Sequence, residues 1–566
     1  MKTQKISSNQ CFKTSLRLLF IVIICFAPFL VKAQHWMSQF GHLGNYYQIK
    51  AATEDYFSED TSRIHNKSCG YKDFNRWMVF MESRADRDGS LKTYSASVRQ
   101  SQQQISLRET SENIPAIWQS VGPSQNTHNT HAWLGLITSI YVDTSNFTTI
   151  YAGSNSGGLF VTHNGGDTWR CLTDNYFVTG IESIEINPGQ PGVIYIATGI
   201  NTWGRNYGGS VLKSTNYGET WTETTLNSST YPFNYIVSKT IQHPTNPDTL
   251  IALVNFEYRN GSKILKTTDG GANWQEKYSI TKGVNAELVD VDMHPTNPDI
   301  IFAGGRKYLQ TTNNGEAWQD ITTRLIDTNA YRIERIATAF HPTKPDTLMV
   351  ILQAYRFSDS TDIKAIKLSV NGGLTFTDLT ISDTASNNYY VTKMEIEWSK
   401  VLEDVFYIGG LYIHRFKLLP GNIVSQITIP GQNVYHADIR EMKTYRKKND
   451  NTWGVPYKNL LYQGNDGGIT KGTETNSSVD WFDISRDSLN ITQFYGLGIP
   501  NDGSDLLLGG TQDGNFNYYN TGTWYQKNAD AAEAVFNFRD SDTAYIVEFG
   551  GTVYLSIMTN TGGDVV

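Results

Sequence analysis

Thr162-His163-Asn164-Gly165-Gly166-Asp167-Thr168-Trp169 is the first of five copies of one pattern, Ser/Thr-x-Asp/Asn-x-Gly-x-x-Trp/Phe. The others run Ser214 to Trp221, Thr267 to Trp274, Thr311 to Trp318 and Ser369 to Phe376, with successive starts 52, 53, 44 and 58 residues apart. That is the length of a four-stranded propeller blade, and a repeat at such a period decides the architecture before any other residue is read. Asn or Asp bonds its own backbone two residues on, and Gly supplies a positive φ, so each copy reads as a tight, anchored hairpin turn. The closing aromatic is expected to pack between blades, which gives these positions a structural role.

A second repeat has the same period. His243-Pro244-Thr245-Asn246-Pro247-Asp248 recurs as His294 to Asp299 and, with Lys344, as His341 to Asp346; weaker relatives stand at Asn187-Pro188 and Asp143-Thr144. Each precedes a strand-like run such as Thr249-Leu250-Ile251-Ala252, so it reads as a turn feeding a strand. The three histidines are therefore expected to be turn residues.

The chain is expected to be all-β, a β-propeller of four-stranded blades. From Gly122 to Val566 there is room for roughly nine blades of about 50 residues. These fit either one large ring or two rings, a seven-bladed one and part of a second, with closure expected by pairing of the first and last strands. The ending Thr561 to Val566 carries no closing strand pattern and reads as a truncated C-terminus.

A net charge of -8 and a Gly- and aromatic-rich composition give no sign of a nucleic-acid partner. Lys2, Lys5, Lys13 and Arg17 precede the apolar run Leu18 to Leu30, and Val31-Lys32-Ala33 offers a cleavage site, so residues 1–33 read as a signal peptide. The run falls short of the ~20 apolar residues of a spanning helix, so no membrane span is expected after signal removal, and the protein is expected to be secreted or at the cell surface. The mature chain keeps Cys69 and Cys171, enough for one disulfide at most. Residues 34–117 read as a polar N-terminal module and linker with a helix around Phe74 to Met81, residues 118–430 as blades, and residues 431–566 as further blades.

The five-fold pattern resembles the Asp-box of bacterial neuraminidase (BNR) repeats and of sortilin-type (VPS10) propellers, where it lies on the outer rim away from the site. His436-Ala437-Asp438, Gly464-Asn465-Asp466-Gly467-Gly468-Ile469, Ile491-Thr492-Gln493-Phe494-Tyr495 and Gly509 to Asn515 follow in one order. That order is similar to secreted sortilin-like repeat proteins of Bacteroidetes-type bacteria, often labelled glycosyl hydrolases. Such proteins often end in a sorting domain for type 9 secretion.

Glycoside hydrolysis in its commonest form uses two carboxylates across the scissile bond, and Asp438, Asp466 and Asp513, in Gly-flanked loops, are the candidates. The repeats also resemble xyloglucan-cleaving propeller enzymes, a resemblance that implies one catalytic Asp in each of two Gly-Gly loops. Aligned on the paired glycines, those positions are Asn155 and Asn465 here, and an amide has no carboxylate proton chemistry. For sialidase chemistry there is no Phe-Arg-Ile-Pro segment. His436 and Asp438 share one strand face in this reading, but Arg440 stands where a further metal ligand belongs, so no metal and no cofactor is expected. A binding reading rests on Trp203, Arg205 and Tyr207 in the loop from Asn201 to Gly209, with Trp133 one blade earlier, where aromatic faces and a guanidinium suit sugar stacking or peptide capture. The sequence thus favours a non-catalytic module for a peptide, protein or carbohydrate ligand, with glycoside hydrolysis through paired Asp residues as the alternative.

Overall fold

The computed structural model describes residues 36–565 except 66–69, 83–84, 92–120, 124–133, 175, 177–179, 203–204, 228–234, 257–260, 282–286, 383–393, 428–434, 449–456, 476, 487, 512–515, 528–530, 538–539, 549–552 and 558–563. The chain divides into two compact units, residues 1–91 and 92–566. The first contains helices Trp36–Phe40, Tyr46–Ser58, Ser62–His65 and Tyr71–Glu82. Asn45 caps the second of these by accepting from the amides of Tyr47 and Gln48. Trp36, Phe57, Phe74 and Trp77 are buried together in an aromatic core. No described helix is long and apolar enough to cross a membrane.

The second unit is a succession of nine sheets, each built from strands consecutive in sequence. The innermost strands of blades 1 to 7 are Ile137–Val142, Ile181–Ile186, Tyr235–Gln242, Leu288–Met293, Tyr331–Phe340, Glu395–Trp398 and Glu441–Lys448. Blades 8 and 9 begin at Phe494–Gly498 and Ala531–Asn537. Blade 6 gains a fifth strand, Thr380–Ile381, parallel to its outer edge.

The ring closes between blade 7 and blade 1. Leu134, Ile137, Ile140 and Phe160 share one buried cluster with Leu460, Tyr462, Ile469 and Ile484. The Leu134 amide donates to the Gly467 carbonyl (2.9 Å), and the Trp169 indole donates to the Ile484 carbonyl (3.0 Å). Of the two arrangements open to the sequence, the seven-bladed ring followed by part of a second is the one observed. The expected closure by strand pairing is not: every sheet keeps its own strands, and side chains packed face to face seal the seam. Burial of a continuous apolar face supplies enough stabilisation without exchanging an edge.

The two sequence repeats meet at one end of each of blades 1 to 5. In antiparallel blades the turn after the first strand and the turn after the third lie at the same end. There the motif turn donates a backbone hydrogen bond to the preceding turn of its own blade: Gly165 to Thr148, Tyr217 to Gly192, Gly270 to Asp248, Asn314 to Asp299 and Gly372 to Asp346. In each motif the hydroxyl of Thr162, Ser214, Thr267, Thr311 or Ser369 accepts from the amide of the conserved-pattern glycine four residues on. Gly373 illustrates why that residue is glycine, with φ at +81° and the Phe302 ring 2.6 Å from where a Cβ would stand. The histidines are turn residues, as expected: Nδ1 of His243, His294 and His341 accepts from the amides two and three residues on.

Candidate functional site on the loop end of the ring

The opposite end of each blade carries the loop between the second and third strands and the connection to the next blade. Among the described residues, the sequence's candidates fall there. Asp466 follows the second strand of blade 7, Asn155 the second strand of blade 1, and Asp438 the connection from blade 6 to blade 7. Asp466 is buried and paired two-fold by Arg440, whose Nε and Nη2 each lie 2.5 Å from a carboxylate oxygen. This clamp ties the loop to the start of the blade 7 inner strand, where the Arg440 amide also donates to the Gly464 carbonyl. Asn465 is 1% exposed and its side-chain oxygen accepts from the Gly467 amide at 2.8 Å, which shapes the turn.

His436 and Asp438 do not share a strand face. Both precede the strand Glu441–Lys448, and Asp438 takes a left-handed φ of 63° that breaks strand alternation. His436 Nδ1 sits 3.0 Å from the Ala437 carbonyl, so the ring orders its own loop. No group of three metal-ligating side chains occurs among the described residues. Asp513, Trp133 and Trp203 lie outside the described residues. Arg205 and Tyr207 belong to the strand Arg205–Ser214, which pairs with Ile194–Thr202 up to Thr202 and Arg205, so the expected loop is largely a long hairpin. Cys171 is a free thiol pushed up to about 11 by burial, and Cys69 lies outside the described residues.

The sequence reading missed the channel. Inner strands of all seven blades line it, and they carry Glu182, Glu185, Lys239, Asp290, Asp292, Arg335, Glu395, Glu397, Glu441 and Lys443. Lys239 and Lys443 both grip Glu441, at 2.8 and 3.1 Å. Other carboxylates cap the free edge of the next blade: Asp290 and Asp292 accept from the amides of Thr338 and Phe340, and Glu185 accepts from Gln242. Burial pushes the carboxyls of Glu185, Asp292 and Glu395 up to about 7, while the ammonium groups of Lys239 and Lys443 hold the Glu441 carboxyl down against burial. A cavity of about 210 Å³ lies among Asp290, Asp292, Glu397, Lys400 and Lys443. Alternating charge in strands such as Leu288-Val289-Asp290-Val291-Asp292-Met293 was the available signal, since a charge at every second strand position faces one side.

No family model matches the chain. A curated xyloglucanase from a Paenibacillus species is 27% identical over 156 residues, covering 26% of this chain and 15% of that protein. Xyloglucanase Xgh74A of Acetivibrio thermocellus is 30% identical over 145 residues, covering 23% and 16%. The crystal structure of an ancestral GH74 enzyme superposes with a TM-score of 0.56 at 13% identity, over 80% of this chain and 63% of that one. The likeness to that structure is one of fold. The matched part thus spans about a sixth of the curated relatives' length.

Proposed function

We infer that this chain belongs to a secreted, carbohydrate-directed propeller protein and acts as a glycoside hydrolase on a β-linked, plant-type polysaccharide such as xyloglucan. The sequence likeness to two xyloglucanases, on a propeller with a matching fold, carries this reading. It gives more weight to hydrolysis than the residue pattern alone does. Asp438, Asp466 and Asp513 remain the candidate carboxylates, and Trp133, Trp203, Arg205 and Tyr207 the candidate contacts for sugar rings and hydroxyls.

A specific observation favours a second reading, glycan, peptide or protein capture without turnover. Asp466 is engaged by Arg440, and the two Gly-Gly loop positions hold the amides Asn155 and Asn465. Neither amide can transfer the proton that glycoside cleavage requires. The test is release of reducing ends from xyloglucan and mixed-linkage β-glucan by the whole mature chain, beside Asp438→Asn, Asp466→Asn and Asp513→Asn. Turnover abolished in a folded variant names a catalytic carboxylate. Retention on xyloglucan without turnover sinks the hydrolase reading and leaves capture, and neither retention nor turnover sinks the hydrolase reading and glycan capture together.

A further inference from the structure

The cavity of about 210 Å³ lies in the turn-end half of the channel, and its rim includes Pro295 and Pro342 of the blade 4 and blade 5 turns, Pro295 being exposed to solvent. Its acidic walls stand on either side of the blade 5 inner strand: Asp290 and Asp292 on blade 4, Glu395 and Glu397 on blade 6. Lysines line it too, but they are already engaged. Lys239 and Lys443 both take Glu441, and Lys400 takes Glu397 at 3.5 Å. Asp290, Asp292 and Glu395 form no ion pair among the described residues, and Glu395 forms no hydrogen bond there either. One carboxylate oxygen of Asp290 accepts from the Thr338 amide at 2.8 Å, and the other has no partner among the described residues. Burial and the charges of Asp290 and Glu397 push the Asp292 carboxyl up to about 7, so these carboxylates oppose one another's ionisation.

Unpaired carboxylates on two sides of one open cavity are matched by a ligand that carries positive charge at both ends. A metal ion does not fit, because a hard cation gathers its oxygens around one point and no group of three metal-ligating side chains occurs among the described residues. A primary ammonium needs no such shell: it donates several N–H bonds from the end of an apolar stem. Met293, Pro295 and Pro342 supply an apolar wall for that stem. The volume corresponds to about seven waters at about 30 Å³ each, which suits a short aliphatic chain. We propose that this cavity is a binding site for a small aliphatic diamine, one ammonium group meeting Asp290 and Asp292 of blade 4 and the other Glu395 of blade 6. Bound there, the diamine ties the inner strands of blades 4 and 6 across the channel and leaves the loop end open.

The test uses the whole mature chain with putrescine as the diamine, and butylamine, succinate and calcium chloride as comparison probes, read by isothermal titration calorimetry. Wild-type protein is expected to bind putrescine more tightly than butylamine, to ignore succinate, and to lose affinity as salt rises. Glu395→Gln and Asp290→Asn are each expected to weaken putrescine binding by about tenfold or more, while Lys417→Gln, an exposed lysine of blade 6, leaves it unchanged. Both acid-to-amide changes keep side-chain size, and the asparagine keeps an oxygen for the Thr338 amide, so melting temperature without ligand is expected to be unchanged or raised. Putrescine is expected to raise the melting temperature of the wild type and not that of the two variants. Absence of putrescine binding by the wild type, butylamine bound as tightly as putrescine, unchanged binding by both folded variants, or binding of calcium without putrescine overturns the proposal. Xyloglucan turnover measured alongside reports on the hydrolase reading independently.

Discussion

The two ends of the blades obey different rules. At the turn end, five blades repeat one arrangement of hydroxyl, Asn or Asp, glycine and aromatic, each docked on the preceding turn of the same blade. At the loop end the described residues share less: a Thr or Ser hydroxyl accepts from the start of the third strand in blades 1, 4 and 7, while the Arg440–Asp466 clamp belongs to blade 7. Repetition marks the positions that build the ring. Variation marks the positions free to meet a ligand.

The contrast breaks most visibly at the seam. Trp169→Ala removes a buried indole that spans blades 1 and 7, and is expected to cost about 3–5 kcal/mol in urea unfolding, because it takes away both packing and the hydrogen bond to the Ile484 carbonyl at the seam; a cost under about 1 kcal/mol would show that the seam is held elsewhere. Gly373→Ala is expected to cost about 1–3 kcal/mol, since its Cβ meets the Phe302 ring at a positive φ. Thr267→Ala, which removes one acceptor for the Gly271 amide, is expected to cost about 1 kcal/mol by the same measurement. Trp203→Ala, in the proposed sugar contact, is expected to weaken retention on xyloglucan while changing stability by less than about 0.5 kcal/mol.

The channel adds a pH dependence of its own. The folded carboxyls of Asp292 and Glu185 sit near 7, above their ordinary values, so between the ordinary carboxylate range and about 7 the folded state binds more protons than the unfolded one. Their contribution is therefore fully present at low pH and is lost as pH rises towards 7. Asp292→Asn is expected to flatten that slope when urea midpoints are compared at about pH 5 and about pH 8; an unchanged slope would place the titration on other groups.

Much of this was legible beforehand, and the reasons are local. A turn is decided by a few adjacent residues, so the pattern Thr162 to Trp169 and the hexapeptide His243 to Asp248 foretold both their conformations and the blade period. The expected helix around Phe74 to Met81 is present as Tyr71–Glu82, whereas Tyr46–Ser58 was missed, although its buried Tyr46, Ile49, Thr53 and Phe57 fall at helical spacing. Of the candidate site, sequence located Asp438 and Asp466 in loops but could not show that Arg440 occupies Asp466, because an ion pair between residues 26 apart depends on how two strands align. The channel carboxylates were legible only as alternation.

The sequence by itself determined the repeat, the four-stranded blade and its two anchored turns, since each depends on short-range hydrogen bonding and backbone conformation. Only the tertiary structure decided that seven blades close and two remain. Closure depends on whether Leu134, Trp169 and Ile137 meet Leu460, Tyr462 and Ile484 after seven small rotations have accumulated, and no local interaction encodes that sum. For the same reason, charges spread over six inner strands, from Glu182 to Lys443, become one channel only when the ring is complete.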